Sequence, residues 1–409
     1  MVVKVLIKPM EQSLTDENSA MDSFRRLTGK AASVCYAEKC DINSLNMAQD
    51  EAESLCDKVI ARGHTSVAEH YNVTLAFQGI SKLLAMMLNS FQVYSTSERS
   101  GRYTLMTGNT QKEVALYSKW LSIFRKVIQE NSPKINNNTL ETRARENARY
   151  VLSVLTHDTS MAYTTNVRQW NAVCNTLTRY ARFIENNLAE DEFYVSVKED
   201  IEDLVHNIKN CVGYDKFLDD SIFCQDMFCM FSNIHMMRES VDDEDTECFS
   251  TSYTTEYLAS YAQLAHIHRH RAIKYFVLSR LKTGNYYVPQ ILRGTELEAE
   301  WLQDLSSVAD LVPQATLLTV RETGYIGDFF HKCDERICAR VMLETMEQTV
   351  RTLKKFRAMA TKLPAYAKIA LNGRFRSDGK PRLKCEVRGV CHEPCDKLGI
   401  SGTPLDRKV

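Results

Sequence analysis

The residue types best suited to chemistry lie within one nine-residue segment. It contains Ser95, Ser97 and Glu98, followed by the run Ser-Gly-Arg-Tyr at positions 100–103. The guanidinium of Arg102 can donate two parallel hydrogen bonds to a phosphate, and glycine at position 101 lets a backbone N–H approach an anion closely. The carboxylate and the serine hydroxyls can pair with the polar groups of a base or a sugar. The segment therefore predicts a binding site for a nucleoside monophosphate.

The elements before this segment alternate between helix and strand. Residues 50–62 have a helical apolar pattern that ends at Gly63, and residues 71–78 alternate as a half-buried strand does. Ser81 then begins an apolar helix. Further helices are predicted from Thr15 toward Cys35 and over residues 112–129, 140–151, 167–187, 195–210, 258–268 and 296–310, with a strand over 248–257. Such a mixture predicts a fold of helices and sheet.

Composition sets the class of protein. The chain has 409 residues, enough for two domains, with 44% hydrophobic and 25% charged residues. Its formal net charge of -1 gives no general attraction to nucleic acid or membrane, and neither a signal peptide nor a membrane-spanning run is expected. Thirteen cysteines, an odd number, favour reduced thiols and a cytoplasmic protein.

The order of these patterns recurs in the second half. We interpret the chain as two diverged copies of one unit, residues 1–215 and 216–409, the second with a cysteine-containing tail at 372–409. An acidic stretch at 242–245 is the expected connector, and Arg145–Leu152 in the first copy corresponds to Leu311–Thr316 in the second. A single larger domain with coincidental similarities is the alternative.

The long ordered set Gly63, His64, Ser66, Glu69, His70, Ser95, Glu98 and Ser100–Tyr103 resembles the flavin-dependent thymidylate synthases. In that family the E-x-S-G-R-Y part holds the phosphate and sugar of dUMP, an arginine of an R-E-x-A-R stretch joins it, and an N-x-R motif follows. The residues that match are Arg149, within Arg145–Arg149, and Asn166, within Asn166–Arg168. The resemblance implies that dUMP is bound by Glu98, Ser100, Gly101, Arg102 and Arg149, and by Arg336 of the second half.

The resemblance breaks where the family has R-H-R. The first half has Ser90, Phe91 and Gln92 there, whereas Arg269, His270 and Arg271 supply R-H-R in the second half. The second half also has Arg336, Cys338 and Arg340, which match a further nucleotide-binding stretch of the family, but it lacks E-x-S-G-R-Y. Because the losses are complementary, we expect one site shared between the two halves.

The resemblance implies a fold and an activity. The fold is α/β (α+β), with two tandem copies of the family's twisted sheet packed with long helices. The activity is reductive methylation of dUMP to dTMP with methylenetetrahydrofolate and NADPH, through FAD. We expect two chains, each with two copies of the unit, to form a homodimer that resembles the tetramer of the family. The residues with implied roles in catalysis are Arg336, Ser100 and Arg102, and those implied for FAD are Arg269, His270, Arg271, His70, His64 and Asn166.

Structural roles remain open for several of these residues. The His-Arg-rich stretch near 270 can be a solvated basic helix end, His64 and His70 can be hydrogen-bonded structural histidines, and Arg149 and Arg336 can be surface ion-pair partners. Two other functions are also open: a flavin-dependent enzyme that methylates UMP or adds a hydroxymethyl group, and a non-catalytic nucleotide-binding homologue.

The tail has three closely spaced cysteines. Cys385, Cys391 and Cys395 could bind a structural zinc ion with Cys338, Cys333 or His392 as a fourth ligand. Free thiols are the alternative, because this spacing is less specific than paired C-x-x-C motifs.

Overall fold

The computed structural model describes residues 6–9, 17–36, 45–91, 93–212, 246–249, 252–268, 270–363, 365–389, 391, 395 and 404–409. The chain forms two compact units that are not consecutive in sequence. Unit 1 comprises Met1–Arg99 and His157–Ser232, and unit 2 comprises Ser100–Thr156 and Asn233–Val409. The predicted repeat boundary at 215–216 and the predicted connector at 242–245 lie outside the described residues.

The described strands are β1 (Leu6–Pro9), β2 (Asn72–Ile80), β3 (Ser95–Glu98), β4 (Thr159–Asn166), β5 (Thr246–Phe249), β6 (Ser252–Ser260), β7 (Lys274–Val277) and β8 (Leu317–Tyr325). The described helices are α1 (Glu17–Tyr36), α2 (Gln49–Ala61), α3 (Lys82–Leu88), α4 (Gln111–Asn131), α5 (Asn137–Ala148), α6 (Val167–Asn187), α7 (Glu192–Val212), α8 (Tyr261–Ile267), α9 (Glu296–Ser307), α10 (Ile326–Arg336), α11 (Leu343–Ala358), α12 (Ala365–Asn372) and α13 (Lys384–Arg388). The protein thus combines helices and sheets, as the sequence predicts.

Unit 1 contains an antiparallel sheet of four strands in the order β1-β2-β4-β3. The alternation in β2 buries Val73, Leu75 and Phe77 on one face. Local signals set the helix ends: Gly63 follows α2 with φ of +81°, and the Ser81 hydroxyl accepts a hydrogen bond from the Leu84 amide at 3.2 Å to begin α3.

Unit 2 contains a second antiparallel sheet with the order β5-β6-β8-β7. A largely aromatic core joins α4 to α9: the Trp120 and Trp301 rings meet edge to face with centroids 4.6 Å apart, and Phe124 lies 5.7 Å from Trp301. Both indole nitrogens are satisfied, since that of Trp120 donates to the Asp304 carboxylate at 2.8 Å and that of Trp301 to the Tyr287 carbonyl at 2.9 Å. Residues 100–156 therefore pack with chain segments far from them in sequence.

The segments after α5 and α9 pair with each other within unit 2. The amides of Gln314 and Ala315 donate to the carbonyls of Leu152 and Tyr150 at 2.8 and 2.9 Å, and the Val154 amide donates to the Val312 carbonyl at 3.0 Å. These are the two segments that the sequence comparison places at corresponding positions of the two halves. Their antiparallel pairing fixes the C-terminal end of α5, which carries several arginines.

Two sequence predictions of secondary structure are wrong. The single strand expected over 248–257 is divided between β5 and β6, which pair antiparallel with Cys248 opposite Tyr253. Residues 258–260 were expected in a helix, but they complete β6, and α8 begins only at Tyr261. The alternation Tyr257, Leu258, Ala259 explains this, because Leu258 is 45% exposed while its two neighbours are buried, as in a strand. In the described part of the chain, no helix is long and apolar enough to cross a membrane.

Candidate functional site

A tight turn presents Arg102 at the beginning of unit 2. The amides of Tyr103 and Thr104 both donate to the Ser100 carbonyl at 3.1 Å, and the Thr104 hydroxyl donates to it at 3.0 Å. The Ser100 hydroxyl accepts a long 3.4 Å hydrogen bond from the Arg102 amide. Ser100 therefore shapes the turn in this structure, and the turn fixes the direction of the Arg102 side chain.

Gly101 allows Arg149 to approach this turn. A Cβ atom added at Gly101 would lie 3.1 Å from Met106 Sδ and 3.5 Å from Arg149 Cδ. Gly101, before α4, and Arg149, after α5, are therefore neighbours, and both are predicted to bind the nucleotide. The sequence prediction that they share a site is consistent with this placement.

Four arginines surround one carboxylate in what we call the arginine cluster, composed of Arg102, Arg143, Arg149, Arg407 and Glu146. Arg102 forms an ion pair with Glu146, and Arg143 Nη1 donates to Glu146 Oε1 at 3.2 Å. Glu146 is 2% exposed, and Arg143, Arg149 and Arg407 are each no more than 9% exposed. Four guanidinium groups against one carboxylate leave a formal excess of three positive charges in a poorly hydrated region.

The pKa values in the arginine cluster reflect this imbalance. Burial raises the pKa of Glu146, but the charges of Arg102, Arg143 and Arg149 outweigh burial and hold it below its ordinary value. Burial lowers the pKa of Arg143 and of Arg149, although Glu146 opposes that shift. Guanidinium groups nevertheless remain charged at any physiological pH. The cluster is thus a strongly cationic environment that favours an anionic ligand.

A short loop, Ala339–Met342, accepts hydrogen bonds from all four arginines of the cluster. Arg102 Nη2 donates to the Arg340 carbonyl at 2.6 Å, and Arg149 Nη2 donates to Met342 Sδ at 3.0 Å. Arg143 donates to the carbonyls of Ala339 and Val341, and Arg407 donates to the same two carbonyls. The loop joins α10 to α11, so the cluster connects α5 with the second half of the chain.

A cavity of about 740 Å³ opens beside the cluster within unit 2. Its lining includes four arginines, one carboxylate and one aromatic ring: Arg102, Arg143, Arg145, Arg340, Glu141 and Tyr103. The size lies within the range of pockets for small organic ligands. A phosphate with a sugar and a base fits this combination of size, positive charge and aromatic surface.

Arg336 has a different environment from the one predicted. Its Nε donates to His270 Nε2 at 2.7 Å, and its Nη1 and Nη2 lie 3.3 Å from the Nε2 and carbonyl oxygen of His266. Among the described residues that line the cavity, Arg340 is present and Arg336 is not. The structure therefore places Arg340 at the cavity and Arg336 against His270 and His266, and the role of Arg336 in binding dUMP stays a prediction.

His270 is held in its neutral form. Burial lowers its pKa to about 2, and the nearby charges of Arg336 and Lys332 act in the same direction. Because Arg336 donates to Nε2, the ring proton of neutral His270 must be on Nδ1. Arg271, the next residue, is exposed, and Arg269 lies outside the described residues.

Four of the predicted site residues belong to unit 1. Glu98 forms an ion pair with Lys82 and accepts a 3.2 Å hydrogen bond from Asn89 Nδ2. The side-chain oxygen of Asn166 caps α6 by accepting from the Gln169 amide at 2.9 Å. His64 and His70 are exposed and flank a 3₁₀ turn at Thr65–His70. Asn166 thus has a structural role that accounts for its burial.

The cysteines of the tail and of the α10–α11 loop are free thiols. Cys338, Cys385 and Cys395 are partly buried, and Cys391 is exposed. Burial raises the pKa of Cys385 and Cys395, and the nearby thiols of Cys338 and Cys391 raise both pKa values further. In the residues that the structure describes, no group of three or more ligating side chains is placed to hold a metal ion. The predicted zinc site therefore has no support from geometry.

Sequence reasoning missed Arg143, Glu146 and Arg407. The first two were detectable, because residues 143, 146 and 149 are spaced three apart and share one face of a helix. Arg407 is in the short segment Asp-Arg-Lys-Val, which has no motif, and only the folded chain brings it to the cluster.

Comparisons with known proteins concern mainly the first half of the chain. Residues 19–190 match the family described as thymidylate synthase complementing protein. A flavin-dependent thymidylate synthase of Geobacter sulfurreducens is 27% identical over 146 residues, which are 34% of this chain and 62% of that protein. These matches support the flavin-dependent thymidylate synthase family. The matched segment of this family includes the Arg102 turn and all of α5.

Two crystal structures of flavin-dependent thymidylate synthase ThyX from Helicobacter pylori, each with FAD and dUMP, are also similar to this chain. They have 15% and 18% sequence identity and TM-scores of 0.31 and 0.30. Each alignment covers 54% of this chain and 99% or 100% of the other chain. TM-scores this low support no conclusion about the arrangement of the units.

Proposed function

We propose that this chain is a flavin-dependent thymidylate synthase that converts dUMP to dTMP with methylenetetrahydrofolate and NADPH. The single observation that carries the proposal is the cationic cavity: Arg102, Arg143, Arg145 and Arg340 line a space of nucleotide size in a part of the chain that begins within the family match. A doubly charged phosphate compensates most of the formal excess of positive charge in the arginine cluster. Arg102, which lines the cavity, is then the principal phosphate ligand, and Ser100 and Gly101 shape the turn that presents it. Arg149, buried beside Gly101 and not among the described residues that line the cavity, adds positive charge next to that turn.

The proposed cofactor is FAD, with Arg269, His270 and Arg271 as its contacts. The donors present suit such a group: neutral His270 has a proton on Nδ1 for a carbonyl or phosphate oxygen, and the exposed Arg271 offers a cation for a diphosphate. Arg336, which hydrogen-bonds His270 and His266, fixes the orientation of both rings. FAD, when bound, supplies the hydride transfer that no side chain can perform.

We also propose that the chain contains two diverged copies of the family unit with one working site between them. In support, the two sheets have the same strand order, and the corresponding segments after α5 and α9 pair with each other. The sequence also supports this proposal, because each half lacks the motif that the other half has: R-H-R is present only at 269–271 and E-x-S-G-R-Y only at 98–103. We further propose a homodimer, which light scattering of the purified protein would establish.

The first test is flavin content and tritium release. The purified chain should absorb as a bound flavin does, and with the folate and NADPH it should release tritium from dUMP labelled at carbon 5. UMP assayed in parallel distinguishes a UMP-modifying enzyme, and product analysis distinguishes methyl from hydroxymethyl transfer. A colourless protein that takes up no FAD but binds dUMP would instead be the non-catalytic homologue.

The shared-site proposal has a separate test. Arg269→Ala should abolish flavin binding, whereas Arg179→Ala, at a first-half arginine without an assigned role, should not. Wild-type protein should be active although Ser90, Phe91 and Gln92 replace R-H-R in its first half. Full flavin content and turnover in Arg269→Ala would refute the division of the site between the two halves. Elemental analysis of the same preparations tests the zinc prediction for the four cysteines.

A further inference from the structure

Arg407 comes to the arginine cluster from a segment that no sequence motif connects with the site. Its neighbours anchor it on both sides: Leu405 packs against the core formed by α10, α11 and α12, and Val409 packs against the core formed by α4 and α9. The Arg407 side chain is 5% exposed. The six residues Pro404–Val409, here called the tail segment, therefore hold a buried guanidinium in a defined place.

Arg407 donates hydrogen bonds to two carbonyls of the loop Ala339–Met342, and it also donates from Nη1 to the Val409 main-chain oxygen at 3.0 Å and from Nη2 to Met346 Sδ at 4.0 Å. Nη1 donates to the Ala339 carbonyl at 2.7 Å, and Nη2 donates to the Val341 carbonyl. Arg143, on α5, donates to these same two carbonyls. Two arginines from distant parts of the chain thus hold the loop at two points, on either side of Arg340.

The residue between those two points belongs to the cavity. The Arg340 side chain lines it, and the Arg340 carbonyl accepts the 2.6 Å hydrogen bond from Arg102 Nη2. A loop free to move would displace both Arg340 and the hydrogen bond that orients Arg102. The fork of a guanidinium suits this task because its donors can reach two carbonyls at once, which a lysine ammonium on one flexible stem cannot do in the same geometry.

We propose that Arg407 is a positioning residue of the nucleotide site, which holds the loop Ala339–Met342 so that Arg340 and Arg102 face the cavity. This role rests on the proposed function for its consequence in dUMP binding, but the contact with the loop does not depend on it. Arg407 also adds positive charge near Glu146, so a purely electrostatic role must be distinguished from the geometric one.

Three variants separate these roles: Arg407→Met, Arg407→Lys, and Lys408→Met as a control that removes a neighbouring exposed charge. Arg407→Met should raise the KM for dUMP by about tenfold or more, with a smaller change in kcat, because the phosphate ligands lose their orientation while the flavin contacts remain. Arg407→Lys should resemble Arg407→Met, and Lys408→Met should resemble the wild type. A wild-type KM in Arg407→Lys would overturn the geometric role, and a wild-type KM in Arg407→Met would overturn any role in binding.

Hydrogen exchange of the full-length protein provides a readout that needs no substrate. The amides of residues 338–342 should exchange faster in Arg407→Met and in Arg407→Lys than in the wild type and in Lys408→Met, with α4 and α9 unaffected. Unchanged exchange in this loop would refute the positioning role even if binding were impaired. If the wild type binds neither dUMP nor inorganic phosphate, the proposed function fails, and the exchange result still decides whether Arg407 positions the loop.

Discussion

Glu146→Gln is the sharpest test of the arginine cluster. The substitution keeps the size of the side chain but removes the carboxylate that pairs with Arg102 and Arg143. Loss of one partner from a buried ion pair costs about 3–5 kcal/mol, because the remaining charges are left without compensation. We take about 3 kcal/mol for the folded state without ligand, since glutamine retains one oxygen that accepts hydrogen bonds.

The expected result is a lower unfolding temperature that anions partly restore. For a unit of this size, about 3 kcal/mol corresponds to a decrease of roughly 6–12 °C. Saturating dUMP or inorganic phosphate should stabilise Glu146→Gln more than the wild type, because the anion then supplies the missing negative charge. Thermal unfolding followed by circular dichroism, at constant ionic strength with chloride or phosphate, measures both effects.

The matched control is Glu300→Gln. Glu300 pairs with Lys119 at 2.6 Å on the surface of the same unit, where both side chains are more than one-third exposed, so its loss should change stability by less than about 1 kcal/mol. If Glu146→Gln unfolds at the wild-type temperature, or if phosphate stabilises both proteins equally, the electrostatic reasoning for the cluster is wrong.

Acid pH gives an independent check on Glu146. Its pKa in the folded protein is held below the ordinary value of 4.5, so its stabilising effect is fully present above about pH 4.5. The effect is lost as the pH falls through the folded-state pKa. Between pH 6 and pH 3 the wild type should therefore lose more stability than Glu146→Gln.

Three further predictions concern other parts of the molecule. His157 Nε2 lies 2.7 Å from the Asp200 carboxylate, which raises the His157 pKa. The pair should therefore stabilise unit 1 below about pH 6.5 and lose that effect as the pH rises through the raised pKa. Thermal unfolding of His157→Gln at pH 6 and pH 9 measures the effect, and equal losses of stability at the two pH values would contradict it. Gly101→Ala should raise the KM for dUMP by a few-fold, because the added methyl contacts the side chains beside the turn, whereas Gly284→Ala, whose methyl would meet open space, should not. Trp301→Ala should destabilise unit 2 by about 3–5 kcal/mol in denaturant unfolding, and a loss below about 1 kcal/mol would contradict its place in the core.

The sequence correctly predicted those helices whose ends are marked by nearby residues, such as capping side chains. The helix over 167–187 has the bounds predicted for it, and the helix predicted to begin at Ser81 begins at Lys82 with Ser81 as its cap. The prediction failed at 258–260. Leu258 is exposed although it is apolar, so the residue types there do not show the alternation of buried and exposed side chains that marks the strand. Local patterns identify an element, but burial in the folded chain decides between helix and strand for short apolar runs.

The candidate site was predictable only where its residues form a motif. Arg102 and Arg149 were identified from sequence, and the structure brings them together through Gly101. The sequence motif includes Arg340 but does not show that it lines the cavity, and Arg407 was not identified at all, because both positions depend on how the α10–α11 loop and the tail segment pack. The hydrogen bonds that join Arg407 to Ala339 and Arg102 to Arg340 span 68 and 238 positions, and such distant pairs leave no pattern in a single sequence.

The pairing of α4 with α9 has a consequence for synthesis of this protein. Trp120 and Trp301, in contact in the folded core, are separated by about 180 residues of chain. At ribosomal rates of about 5–20 residues per second, the aromatic face of α4 waits roughly 10–40 s for its partner. During that interval Trp120 and Phe124 cannot pack against Trp301, so the nascent chain exposes an aromatic surface that chaperones recognise. A ribosome stalled before residue 301 would therefore leave a chain prone to aggregation, although the segment with the nucleotide motif has already been made.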